Sequence, residues 1–181
     1  MYLKLDLISL ASALLMLPCA LSASPVPEGD CVRAAGTIHS VQGVGLCADF
    51  GSGEFHSIAF TADLIDILNG RASTPGLKCT YHYNMPFLCR ETRSGYTYCI
   101  YAGPGIAQGY VRNLDGHPGY MAGISGDIGG RIMLGHNIML SLEFQGDLAL
   151  LFKNRNISNM SLYTNGLRHS YYPYLRIQYR F

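Results

Sequence analysis

An all-β protein, an eight-stranded antiparallel up-and-down transmembrane β-barrel, is predicted by three features of this 181-residue chain. The C-terminal third alternates apolar and polar residues over unusually long segments. The polar positions of those segments carry charges in mid-strand. Short turns and longer polar connections alternate along the chain, with the short ones falling at one end of the strand order.

The alternation is clearest near the end. Side chains point to opposite faces of a strand with a period of two. Tyr120, Ala122, Ile124, Ile128 and Ile132 share one face, and Ser125, Asp127 and Arg131 share the other. The next segment repeats this, with Ile138, Leu140, Leu142, Phe144 and Leu148 against Ser141, Glu143, Gln145 and Asp147. The closing segment sets Tyr171, Leu175, Ile177, Tyr179 and Phe181 against Tyr172, Tyr174, Arg176, Gln178 and Arg180. Strands of a soluble sandwich usually run about five or six residues. These segments exceed the roughly nine to eleven residues with which a tilted strand crosses hydrocarbon. With lipid outside, charged faces must look into the lumen. Asp127, Arg131, Glu143, Asp147, Arg176 and Arg180 are therefore expected to form a salt-bridged plug, with both Arg131 and Arg176 near Asp127, Glu143 or Asp147.

Earlier segments follow the same rule more faintly. Tyr98, Ile100, Ala102 and Ile106 are expected outward, with Gly103, Gly105 and Gly109 inward. Leu77, Cys79, Tyr81, Tyr83, Met85 and Phe87 are expected outward, and Lys78, Thr80, His82, Asn84 and Arg90 inward. Ile58, Phe60 and Ala62 are outward and Ser57, Thr61 and Asp63 inward, after which Leu64 to Leu68 loses the alternation. Val32 to Phe50 keeps one parity throughout. Bacterial single-chain barrels have even strand numbers, so this stretch is divided near Ser40 to Gly43 into two strands. The alternative eighth strand lies within Ile157 to Thr164. His39 and His82 are both expected in the lumen, as members of hydrogen-bond networks.

Counting back from a periplasmic C-terminus places the turns 51–53, 93–95 and 135–137 on the periplasmic side. The longer segments 69–76, 113–119 and 153–169 then lie outside, the asymmetry such barrels show. The segment 153–169 is the longest and the expected contact site for a surface ligand.

The N-terminus reads as a secretory signal. Lys4 precedes an apolar core from Leu7 to Leu17, too short to span as a helix and broken by Pro18. Residues 1–23 are assigned to the signal and 24–181 to the barrel, with cleavage among Ser22, Ala23 and Ser24. Cys19 follows Pro18, where a lipoprotein signal wants a smaller residue. Loss of Lys4 and Asp6 together leaves the net charge of +1 unchanged. The 13 Lys and Arg are scattered without a basic run, so no nucleic-acid partner is expected.

Five cysteines follow the signal: Cys31, Cys47, Cys79, Cys89 and Cys99. An odd number cannot pair completely within one chain, and the spacing matches no metal site. Cys89 and Cys99 flank one turn and sit on neighbouring strands, but whether they face the same side depends on register. The simpler reading is a set of small apolar fillers that stay unpaired.

The closing residues YYPYLRIQYRF and the N-terminal signal resemble those of the small outer-membrane β-barrels, the OmpA- and OmpX-like "porin family" class. The resemblance extends over Val32 to Phe181. It implies location in the outer membrane of a Gram-negative bacterium, contact with outer-membrane lipids, and a C-terminal signal, Tyr179 and Phe181, read by the barrel-assembly machinery. The cysteines and the indistinct first strand depart from the family pattern.

The expected role is structural or adhesive, because eight strands enclose an interior just wide enough for side chains to fill. No cofactor or metal is expected. The alternatives are a lipid-modifying enzyme of the outer membrane and a soluble exported barrel that holds a ligand. A lipid-A deacylase would need a serine, a histidine and an orienting acid together. The adjacent pairs His39-Ser40, His56-Ser57 and His169-Ser170 point to opposite faces of a strand, which separates each histidine from its serine. No metalloprotease, phosphate-loop or dinucleotide motif occurs.

Overall fold

The computed structural model describes residues 31–70, 75–92, 96–112, 118–135, 137–156 and 159–181. The expected signal, residues 1–23, lies outside the described residues.

Eight antiparallel strands close into a barrel in sequence order, each paired with its neighbours and β8 with β1. They are β1 (Cys31–Ser40), β2 (Gly43–Ser52), β3 (Phe55–Asp63), β4 (Gly76–Glu91), β5 (Thr97–Arg112), β6 (Pro118–Leu134), β7 (Ile138–Asn156) and β8 (Asn159–Arg180). One helical turn, α1 (Ile65–Leu68), accounts for the lost alternation after Asp63. Closure leaves no sheet edge within the bilayer, which is why barrels can span one.

The turns have local causes. Ser40 Oγ accepts the Gln42 and Gly43 N–H groups at 3.2 Å each and organises the β1–β2 connection. Gly53 and Gly135 take positive φ, +75° and +71°, at the β2–β3 and β6–β7 turns, where a side chain would be strained. Asn137 clasps the C-terminus: its carbonyl accepts the Arg180 N–H at 2.7 Å, and its Nδ2 donates to the Arg180 carbonyl at 3.0 Å.

The barrel is inside out relative to a soluble protein. Leu46, Phe60, Leu77, Ile106, Ile124 and Leu142 face outward, each more than half exposed. Asp49, His82, Asn84, Asp127, Glu143, Asp147 and Arg176 are buried inside. The three strands β1 to β3 are 9 or 10 residues long, enough to cross hydrocarbon, whereas β4 to β8 run from 16 to 22 residues. The added length of β4 lies at its periplasmic end, since Gly76 pairs with Asp63 and Asn84 with Phe55, whereas β8 continues above the point where β1 ends beside Tyr174.

Four expectations need correction. The single parity across Val32 to Phe50 breaks at the turn. Gly36 pairs with Cys47 and Ile38 with Gly45, so even residues of β1 share the inward face with odd residues of β2. Directly opposed residues of a ladder lie on one face. Ala34 and Ile38 consequently point inward, and His39 lies on the outside, bonded to Thr37 Oγ1 at 3.0 Å. Second, segment 153–169 is a hairpin and not a loop. β7 continues to Asn156 and β8 begins at Asn159, with a register shift between Leu150 and Phe152 that accommodates the surplus residues of β8. The alternative strand within Ile157 to Thr164 is absorbed into this hairpin.

Third, the β4–β5 register shifts by one residue between Pro86 and Leu88. A one-residue slip exchanges the faces of every later side chain. Arg90, expected inside, now pairs with outward Tyr98 and is exposed. Fourth, the same shift brings Cys89 opposite Cys99, and the two form a disulfide. Among the described side chains, the unpaired-filler reading holds for Cys47, buried inside, and Cys79, on the outer face, while the Cys31 side chain lies outside the described ones.

Candidate functional site in the barrel lumen

The most concentrated chemistry of the chain fills the lumen, and it is built by the inward parity of every strand. Arg176 of β8 is the central group, 1% exposed. Its Nη2 donates to Glu143 Oε1 of β7 at 2.7 Å and its Nη1 to Asp49 Oδ1 of β2 at 3.1 Å. Nη1 also meets Ser57 Oγ, which itself donates to Asp49 at 2.7 Å. Tyr101 of β5 donates its hydroxyl to the other Glu143 oxygen at 3.1 Å. One guanidinium thus ties four strands across the barrel, with charge-assisted hydrogen bonds to two different carboxylates.

A second cluster lies toward the outer end. Lys78 Nζ donates to Asp147 Oδ2 at 2.8 Å and to the Tyr174 hydroxyl at 3.0 Å, and stands over the Tyr172 and Tyr174 rings. Asp147 also accepts from Ser125, Gln145 and Ser170 at 2.8, 2.7 and 3.3 Å. Toward the periplasmic end, Arg131 lies over the Phe55 ring, 4.2 Å from its centroid, and Phe55 meets Tyr101 edge-on.

Of the six charges expected together, Glu143 and Arg176 are in contact. Asp147 pairs with Lys78 rather than an arginine. Asp127 lies 3.7 Å from the His82 Nδ1 ring nitrogen. Arg131 takes an aromatic partner in place of a carboxylate. Arg180 closes the Asn137 turn through its backbone. Asp49, Ser57, Lys78 and Tyr101 were missing from the expected network. The same parity rule reaches them, since Asp49 is the charged residue of β2 and lies opposite the face of Phe50.

His82 joins the outer cluster, with Nε2 2.7 Å from Ser125 Oγ. Ser125, His82 and Asp127 have the composition of a hydrolytic triad. The His82–Asp127 distance of 3.7 Å exceeds a hydrogen bond, and Ser125 gives its hydrogen to Asp147. All three residues are 9% exposed or less, which bars a lipid substrate from the serine. At the outer end, the space beside Ser40, Lys78, Asp147, Ser170, Tyr172 and Tyr174 is about 30 Å³, room for only a few water molecules.

A closed barrel with apolar residues outside, charges inside and strands of membrane-spanning length defines a small transmembrane β-barrel of the outer-membrane type. Among solved structures it is similar to the N-terminal β-barrel domain of Pseudomonas aeruginosa OprF, with a TM-score of 0.48 and 11% identity over 85% of this chain and 99% of that one. It is also similar to Neisserial surface protein A (NspA), with a TM-score of 0.45 and 13% identity over 83% of this chain and 95% of that one. No family model and no curated protein sequence matches the chain. It is the barrel's own inside-out geometry that defines the class.

Proposed function

We propose that this protein is a non-conducting wall protein of a Gram-negative outer membrane that presents its β7–β8 hairpin as a contact surface. The observation that carries the reading is Arg176, held between Asp49 and Glu143 across the lumen. A lumen filled at this level leaves no path for solutes. Export runs through the signal in residues 1–23. Assembly uses Tyr179 and Phe181, both exposed on the outer face at the periplasmic end. The hairpin over 153–169 rises above the level at which β1 ends beside Tyr174.

Two measurements test this. Purified protein in a planar bilayer is expected to give no discrete conductance steps; stable openings would overturn the filled lumen. Removing residues 155–164 is expected to preserve insertion, read as a gel shift on boiling, while abolishing binding to whole cells or matrix proteins. Unchanged binding would remove the hairpin from the proposal.

The Ser125–His82 contact favours a second reading, a lipid-modifying enzyme. It predicts that Ser125 reacts with a fluorophosphonate probe. The structural reading predicts no labelling of Ser125 in folded protein, and unchanged lipid A acylation in cells that lack the gene.

A further inference from the structure

Among the described residues, the outer surface of the barrel carries a hollow whose chemistry differs from its surroundings. It opens toward lipid near the outer end of β2 to β6 and has a volume of about 610 Å³. Leu46, Phe60, Leu77, Tyr110 and Tyr120 wall it, and the small side chain of Cys79 forms part of its floor. A hollow of this size does not stay empty against fluid hydrocarbon.

Among the residues lining it, Gln108 carries an amide. Gln108 is exposed on the lipid side, between Cys79 of β4 and Ala122 of β6. Its Oε1 accepts the Tyr120 hydroxyl at 2.9 Å. That bond fixes the amide, so both Nε2 hydrogens point away from the acceptor side. They have no acceptor among the described residues. Phe60 lies on the same row of the sheet, and the exposed Ile106 and Ile124 lie one row below. Tyr110 and Tyr120 lie one row above and occupy the depth at which aromatic belts meet headgroups. An amide donor beneath that belt loses water and needs another acceptor, since an unmet polar group in hydrocarbon is costly.

We propose that the hollow is a lipid site. One acyl chain of an outer-leaflet lipid lies along it, and the ester or amide carbonyl of that chain accepts the Gln108 Nε2 hydrogens. The occupant follows from position and chemistry together. The hollow opens only to the bilayer, and the carbonyls of acyl linkages are the acceptors found just below the headgroups. The proposal rests on the membrane-spanning reading of the barrel.

Native mass spectrometry of protein taken from its own membranes in mild detergent tests it. The wild type is expected to retain one lipid per chain, identified as acyl-linked after extraction. Gln108→Leu keeps the shape and removes the donors, and is expected to lower occupancy by about three- to tenfold, the worth of one hydrogen bond. Cys79→Phe fills the floor and is expected to lower it at least as far. Leu142→Phe, on the opposite side of the barrel, is expected to leave occupancy unchanged. Equal occupancy in all four proteins would mean ordinary surrounding lipid and overturn the site. A mass gain equal to a second protomer would overturn it in favour of a self-contact. A boiling shift of each protein separates these outcomes from failure to fold. If Cys79→Phe does not fold, Gln108→Leu alone decides, and absence of the shift in the wild type would overturn the membrane reading itself.

Discussion

Replacing Arg176 with methionine is expected to destabilise the barrel by about 3–5 kcal/mol. The substitution leaves the carboxylates of Asp49 and Glu143, 4% and 1% exposed, without the cation that separates them. Removing one partner of a buried pair costs far more than the pair contributes, because the remaining charge keeps its desolvation penalty. Glu143→Ala acts from the other side and also strips Tyr101 of its acceptor. The triple variant Arg176→Met, Glu143→Gln, Asp49→Asn is expected to recover most of the loss, since neutral amides carry no unpaired charge. Urea unfolding in lipid vesicles, followed by tyrosine emission because the chain has no tryptophan, measures each step. A loss below about 1 kcal/mol for Arg176→Met would mean that the charges are hydrated, and the lumen would then be wetter than the filled interior requires.

Loss of the Cys89–Cys99 disulfide is expected to cost about 2–3 kcal/mol, the chain-entropy value for a loop of this length, whose cysteines lie 10 residues apart. Cys89→Ser with Cys99→Ser, unfolded beside the wild type, measures it. The bridge sits just below the β4 bulge and fastens the register that the bulge resets. Its formation needs an oxidising compartment. Exported protein is therefore expected to bind two more alkylating groups after reduction than before. Protein made without residues 1–23 and held in the cytoplasm is expected to bind equal numbers under both conditions. Equal numbers in the exported protein would show that the bridge does not form in cells.

These expectations separate what could be read from the chain from what could not. In β3, β5 and β6, in β7 as far as Phe152, in β8 from Tyr171, and in β4 as far as Pro86, a period of two assigned side chains to lumen or lipid. A lipid face tolerates only apolar groups, so each charge in mid-strand marks its own direction. Asp127, Glu143, Asp147 and Arg176 were placed inside on that ground alone. The charge of β1, Arg33, sits near the periplasmic end of the strand on the outward face, and so does not mark a lumen side. The rest of the outward face holds Ala35, Thr37 and His39, the inward face Ala34, Gly36 and Ile38, and neither excludes lipid. There the turn at Ser40 decided the parity.

The partners within the lumen were beyond the reach of periodicity. Arg176 meets Asp49 across 127 residues of chain, on a strand that is not its neighbour. Alternation states that a group points inward, but not its height or the group it faces. Both follow from closure, because the stagger of the eight strands sets which inward residues share a level. The bulge at Phe87 is the same kind of fact. One surplus residue turned Arg90 outward and brought two cysteines together, an outcome that depends on how β4 aligns with β5 along their whole length. The sequence by itself determined the architecture and most inward and outward faces, because each strand must satisfy lipid locally. Only the tertiary structure decided the salt bridges, the disulfide and the β7–β8 hairpin, because each depends on register between strands.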